Sequence, residues 1–116
     1  MDNLKELRTI EDLSRALEQS SEMPVLLFKH SLTCPISARA FNEFRSFLEQ
    51  ADARVSYNLI TVQTARSVSN EVVARLKIGH ESPQAILVRD GREVWNASHF
   101  AINASALAQA IRSISD

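Results

Sequence analysis

Seven consecutive residues, Pro24-Val25-Leu26-Leu27-Phe28-Lys29-His30, run apolar and end polar. A strand open to water on one side would alternate. The continuous run therefore predicts a strand covered on both faces, as in a parallel or mixed sheet lying under helices. Directly after it, Pro35 to Gln50 reads as a long helix. Ile36, Ala40, Phe41, Phe44, Phe47 and Leu48 fall on one stripe, and Arg39, Asn42, Glu43, Arg45 and Glu49 lie off it. Val55 to Val62 then reads as a second strand. A strand–helix–strand unit of this kind requires parallel strands joined by a right-handed crossover.

With two glycines and three prolines, punctuation is sparse. Thr9, followed by Glu11 and Asp12, marks a helix start, and Ile10, Leu13, Ala16 and Leu17 extend it over about 10–20. Leu4 to Arg8 is expected as a short edge strand. Ser67 to Leu76 is expected as a helix ending near Gly79. Ala85 to Arg89 and Glu93 to Trp95 are strands joined by Asp90-Gly91, a tight-hairpin signal. Asn103 or Ser105 is expected to cap a last helix that buries Leu107, Ala110, Ile111 and Ile114. The order (β)αβαβαββα predicts an α/β fold, a mixed four- or five-stranded sheet flanked by helices on both faces.

The length of 116 residues fits one domain, residues 1–116. A net charge of −1 gives no electrostatic reason to expect nucleic acid or an anionic membrane surface as partner. No apolar run approaches the ~20 residues of a membrane span. Met1-Asp2-Asn3-Leu4-Lys5-Glu6 lacks the basic-then-apolar order of a secretory signal. A lone cysteine excludes an internal disulfide framework and suits a reducing compartment. The expectation is a cytoplasmic protein. The histidines at 30, 80 and 99 have no zinc-site spacing, and no metal is expected.

That cysteine, Cys34, lies in Lys29-His30-Ser31-Leu32-Thr33-Cys34-Pro35-Ile36-Ser37, between the apolar strand and the long helix. At a helix N-terminus, backbone N–H groups and the helix dipole favour a thiolate. Ser37 stands where a two-cysteine redox loop would carry its second thiol, so exchange would pass through a mixed disulfide with another molecule.

The element order, with a cysteine ending the first core strand, resembles the thioredoxin fold. Glu81-Ser82-Pro83-Gln84 strengthens the likeness, because that fold places a proline, usually cis, just before the strand that opens the hairpin. The backbone of Ser82 would then be free to pair with an incoming disulfide partner. The loop Thr33-Cys34-Pro35-Ile36-Ser37, with Phe28-Lys29-His30-Ser31 and Ser82-Pro83-Gln84, resembles more specifically the monothiol bacilliredoxins of the bacillithiol system, the YtxJ-like family. The resemblance implies a thiol–disulfide oxidoreductase that removes bacillithiol from S-bacillithiolated proteins through a Cys34–bacillithiol mixed disulfide. Bacillithiol is then a thiol co-substrate, no cofactor is tightly bound, and a monomer is expected. The alternatives are a glutathione-type monothiol glutaredoxin and a non-catalytic thioredoxin-fold module that traps thiol partners.

On this reading Cys34 is catalytic, Thr33, Pro35 and Ser37 support it, and Ser82, Pro83 and His30 bind substrate. Ser37, one helical turn on, is expected to reach the Cys34 sulfur or to cap the helix. Pro35 starts the helix. Thr33 caps or shapes the loop. Strand alternation sends Lys29 and His30 to opposite faces, so at most one faces the thiol. Lys29 is expected as a solvated strand end, His80 as a possible neighbour of the cleft, and His99 as distant. Trp95 is expected to pack on the sheet. Arg39 and Glu43 are expected to pair on the helix surface. Arg66 is a candidate contact for a malyl carboxylate of bacillithiol.

Overall fold

The computed structural model describes residues 3–114. Five strands form one mixed sheet. They are β1 (Leu4–Glu6), β2 (Val25–His30), β3 (Ser56–Thr61), β4 (Gln84–Arg89) and β5 (Arg92–Ser98), in the spatial order β1-β3-β2-β4-β5. β3 runs parallel to both β1 and β2, whereas β4 is antiparallel to β2 and to β5. The helices are α1 (Ile10–Gln19), α2 (Pro35–Leu48), α3 (Arg66–Leu76) and α4 (Ala104–Ile114), with a 3-10 turn at His99–Ala101. The expected element order is the observed one, with five strands.

Central β2 explains the apolar run. Val25, Leu26, Leu27, Phe28 and Lys29 have no exposed surface. Successive side chains feed two cores. Leu26 and Phe28 join Ala40, Phe44, Tyr57, Leu87, Leu107 and Ile111 beneath α2 and α4. Val25 and Leu27 join Leu13, Ile60, Val68, Val72 and Ile86 beneath α1 and α3. Phe28 stacks on Phe44 at 4.6 Å, 6° from coplanar, which ties α2 to the strand before it. Truncating such a core ring costs about 3–5 kcal/mol.

The ends of the elements follow local chemistry. Thr9 caps α1 in a reciprocal box: its hydroxyl accepts from Asp12 N–H, and the Asp12 carboxylate accepts from Thr9 N–H. Asp90 and Gly91 both take positive φ, 55° and 74°, as a primed hairpin turn requires. A bulge follows, where Leu87 faces Trp95 and Val88 faces Glu93. Asn103, not Ser105, caps α4 by accepting from Ala106 N–H.

α3 ends at Leu76, as expected, and begins one residue earlier than expected, at Arg66. Its C-cap, Lys77, takes the left-handed conformation at φ 57°, and its amide closes the helix on Val73 C=O, so the lysine accepts the strain usually left to glycine. Three side-chain expectations are corrected. In α2 the inward position of the first turn belongs to Ser37, and Ile36 is only half-buried. Arg39 and Glu43 have separate partners. The Arg39 guanidinium lies 5.2 Å from the Phe100 ring centre, and the Glu43 carboxylate accepts from Ala104 N–H at 3.0 Å. Lys29 is no solvated strand end but wholly buried. No helix among the described residues is long and apolar enough to cross a membrane.

Candidate active site

The antiparallel pairing of β2 and β4 decides what meets at the sheet end. Lys29 pairs with Gln84, so the loop leaving β2 and the turn entering β4 emerge at the same edge. The first carries Cys34 and the second carries Ser82-Pro83. Residues far apart in sequence are brought together by one hydrogen-bonded ladder.

Cys34 is the N-cap residue of α2, extended at φ −103° and ψ 120°, with a free and partly exposed thiol. Its carbonyl accepts from Ala38 N–H at 3.0 Å, so its backbone already belongs to the helix. No side chain caps the helix here, and Pro35 at the first position has no N–H. The remaining first-turn N–H groups are left to whatever charge sits at the N-terminus.

Ser37 is fully buried and does neither of the things expected of it. Its hydroxyl oxygen accepts from Ser31 N–H at 2.9 Å and lies 2.9 Å from His30 Nδ1. Burial lowers the His30 pKa below its ordinary value. The His30 ring also stacks on Phe41, 4.6 Å between centroids. Ser37 therefore ties strand, loop and helix together behind the cysteine.

A residue that sequence reasoning missed holds the loop from the other side. Gln63, just beyond β3, accepts from Leu32 N–H at 3.0 Å through its carbonyl oxygen. Its amide nitrogen donates to Ser31 Oγ at 2.8 Å and to Thr33 Oγ1 at 3.4 Å. Thr33 is thus fastened through its hydroxyl, and Leu32, two residues before Cys34, is left 62% exposed. A single glutamine at a strand exit carries no sequence signal that would have found it.

The Ser82–Pro83 peptide bond is cis. Pro83 is buried, and its carbonyl accepts from His99 N–H at 3.2 Å. His99 is therefore a neighbour of this turn, contrary to the expectation that it is distant. No hydrogen bond among the described residues engages the backbone N–H or C=O of Ser82, and its hydroxyl is buried without a partner.

Behind the turn, on the face opposite His30, Lys29 Nζ lies 3.1 Å from His80 Nδ1. Ser69 Oγ stands 3.4 Å from the same nitrogen. Desolvation brings the Lys29 pKa down to about 8. His80 is lowered by desolvation first, then by Lys29 and Arg66, with Glu81 opposing. Arg66, at the start of α3, thus sits within electrostatic reach of this cluster. Trp95 is partly buried and packs against the α2/α4 core.

The family described as "Monothiol bacilliredoxin BrxC" matches residues 5–107. The chain belongs to the monothiol bacilliredoxin family. A solved structure provisionally assigned as an oxidoreductase with a thioredoxin fold is 36% identical, with 94% of each chain covered and a TM-score of 0.82. Thioredoxin from Fasciola hepatica is similar at 15% identity and TM-score 0.76, covering 94% of this chain and 97% of that one. Mitochondrial thioredoxin 3 from Saccharomyces cerevisiae, in its oxidised form, is similar at 15% identity and TM-score 0.73, with 97% of each covered. These last two likenesses carry the fold alone. This bacilliredoxin-family chain therefore has a thioredoxin-like fold.

Proposed function

We propose that this protein is a monothiol thiol–disulfide oxidoreductase that removes bacillithiol from S-bacillithiolated proteins. The observation that carries the reading is a lone, partly exposed thiol at the N-cap of α2, in the loop Thr33-Cys34-Pro35-Ile36-Ser37 of a bacilliredoxin-family chain. The Cys34 thiolate attacks the sulfur of bacillithiol in the protein mixed disulfide. A new disulfide forms between Cys34 and bacillithiol, the old one breaks, and the repaired protein leaves as a thiolate that takes a proton from solvent. Ser37 has no sulfur and cannot expel the adduct, so a second thiol must do so. Free bacillithiol attacks the bacillithiol sulfur of the adduct, releasing bacillithiol disulfide and regenerating Cys34. Ser82 offers its unpaired N–H and C=O to the extended backbone of the protein partner beside the attacked disulfide. Pro83 fixes that turn, and Thr33, Pro35, His30 and Ser37 order the loop. The reaction calls for no tightly bound cofactor and works with the chain as a monomer in the cytoplasm.

Intact-mass measurement after exposure to bacillithiol disulfide and, separately, glutathione disulfide tests the small-molecule partner. The expected result is a selective bacillithiol adduct on Cys34 that Cys34→Ala lacks. A preference for glutathione would support a glutaredoxin instead. With free bacillithiol supplied, sub-stoichiometric protein is expected to restore many equivalents of substrate thiol. A single equivalent would make the protein a trap rather than an enzyme.

A further inference from the structure

The Lys29–His80 pair is left over once the thiol chemistry has been assigned. It is an ammonium with no exposed surface, and no carboxylate among the described residues lies within ion-pair distance of it. Such a group is expensive to bury. Among the described residues its one side-chain acceptor is Nδ1 of an exposed histidine, which the Ser69 hydroxyl also approaches. His80 immediately precedes Glu81-Ser82. The same short segment is held twice more by Gln84, whose amide donates to Gly79 C=O at 3.2 Å and accepts from Glu81 N–H at 3.3 Å. β2 and β4 thus both hold the three residues that lead into Ser82, Lys29 through His80 and Gln84 through Gly79 and Glu81.

We propose that Lys29 and His80 form a pH-sensitive clamp that positions the Ser82 backbone for the extended chain of the disulfide partner. The inference rests on the role given to Ser82 above. The clamp needs an unprotonated Nδ1, because the ammonium can only donate. Protonation of His80 removes the acceptor and sets two cations face to face. The groups facing His80 are Lys29 from β2, Arg66 and Ser69 from α3, and Glu81 from its own segment. Two of the three charged ones repel an imidazolium, so the clamp holds at neutral pH and opens in mild acid. Lys29 and His80 are positioning residues: they act on the partner through Ser82 and do not touch the reacting sulfurs.

Two rates measured side by side on the full chain, from about pH 4.5 to about pH 8, so as to reach below the ordinary histidine range, test the clamp. One is attack of Cys34 on a peptide whose cysteine is capped by thionitrobenzoate, read by release of the coloured thiolate. The other is alkylation of Cys34 by iodoacetamide, which has no backbone to pair. Their ratio cancels the ionisation of Cys34 itself. In the natural protein the ratio is expected to fall about threefold or more toward the acid end, as His80 takes its proton. In His80→Asn, whose side-chain oxygen can accept from Lys29 without titrating, the ratio is expected to stay high and flat. In Lys29→Met it is expected to be low and flat, with peptide KM raised and iodoacetamide alkylation unchanged. A wild-type ratio independent of pH, or superimposable profiles for wild type and His80→Asn, would overturn the clamp. Because the peptide contains no bacillithiol, that outcome is separate from failure of Cys34 to take up bacillithiol.

Discussion

The buried Ser37 hydroxyl bridges two groups of the active loop: it accepts from Ser31 N–H and lies 2.9 Å from Nδ1 of His30. A residue expected to serve the thiol directly instead holds the scaffold around it. Ser37→Ala would leave a backbone N–H and an imidazole nitrogen without their partner. The expected loss is about 1–3 kcal/mol, read from urea unfolding. Ser37→Cys keeps the size and supplies a second sulfur one helical turn from Cys34. Oxidised Ser37→Cys is expected to lose two hydrogens by mass and to release adducts without an added thiol. Retention of two free thiols after oxidation would count against this.

Gln63 fastens Leu32, Ser31 and Thr33 with one side chain. It is exposed, so removing it leaves no buried group stranded. Gln63→Ala is expected to cost less than about 1 kcal/mol in global stability. Its effect is local: hydrogen exchange of the Leu32 amide is expected to speed by about an order of magnitude, since its acceptor is lost. An unchanged Leu32 exchange rate would mean the loop is held by something else.

Burial of Lys29 carries a definite sign. Its pKa falls from 10.5 unfolded to about 8 folded. Between those values the unfolded chain binds more protons, so stability rises with pH across that window and the penalty is fully present below it. Tyr57, raised to about 12 mainly by burial, works the other way above pH 10. The clean window is therefore about pH 8 to about pH 9.5, where denaturant midpoints are expected to climb. Lys29→Met is expected to be more stable than the natural protein at pH 7 and to lose this climb. A destabilised Lys29→Met would show that the buried ammonium is compensated.

Glu43 reaches from α2 to accept from Ala104 N–H, the first amide of α4. Together with Asn103 on Ala106 N–H, it closes the open end of the last helix. Glu43→Ala is expected to lower stability by about 1 kcal/mol, by thermal or denaturant unfolding. Alkylation of Cys34 is expected to stay the same. A change there would imply that α4 influences the loop.

The strand β2, the four helices and the hairpin were legible because each rests on local chemistry: an unbroken apolar run, helical stripes, Thr9 with Asp12, and Asp90 with Gly91. The Cys34-Pro35-Ile36-Ser37 spacing, and the serine–proline turn before β4, were equally plain as motifs. Less visible were the uses of polar side chains. Lys29 was read as solvated because lysine at a strand end usually is, yet its partner His80 lies 51 residues away. Gln63 and Glu43 serve partners 30 and 61 residues distant.

Order and type of elements, and the position of one thiol at a strand-to-helix junction, are properties of neighbouring residues, and the chain alone determined them. Which polar groups meet behind that thiol was decided only when β4 paired antiparallel to β2 and β3 parallel to it. Sheet register converts distance along the chain into contact across it, and a hydrogen bond formed that way has no signature in either of the short segments it joins.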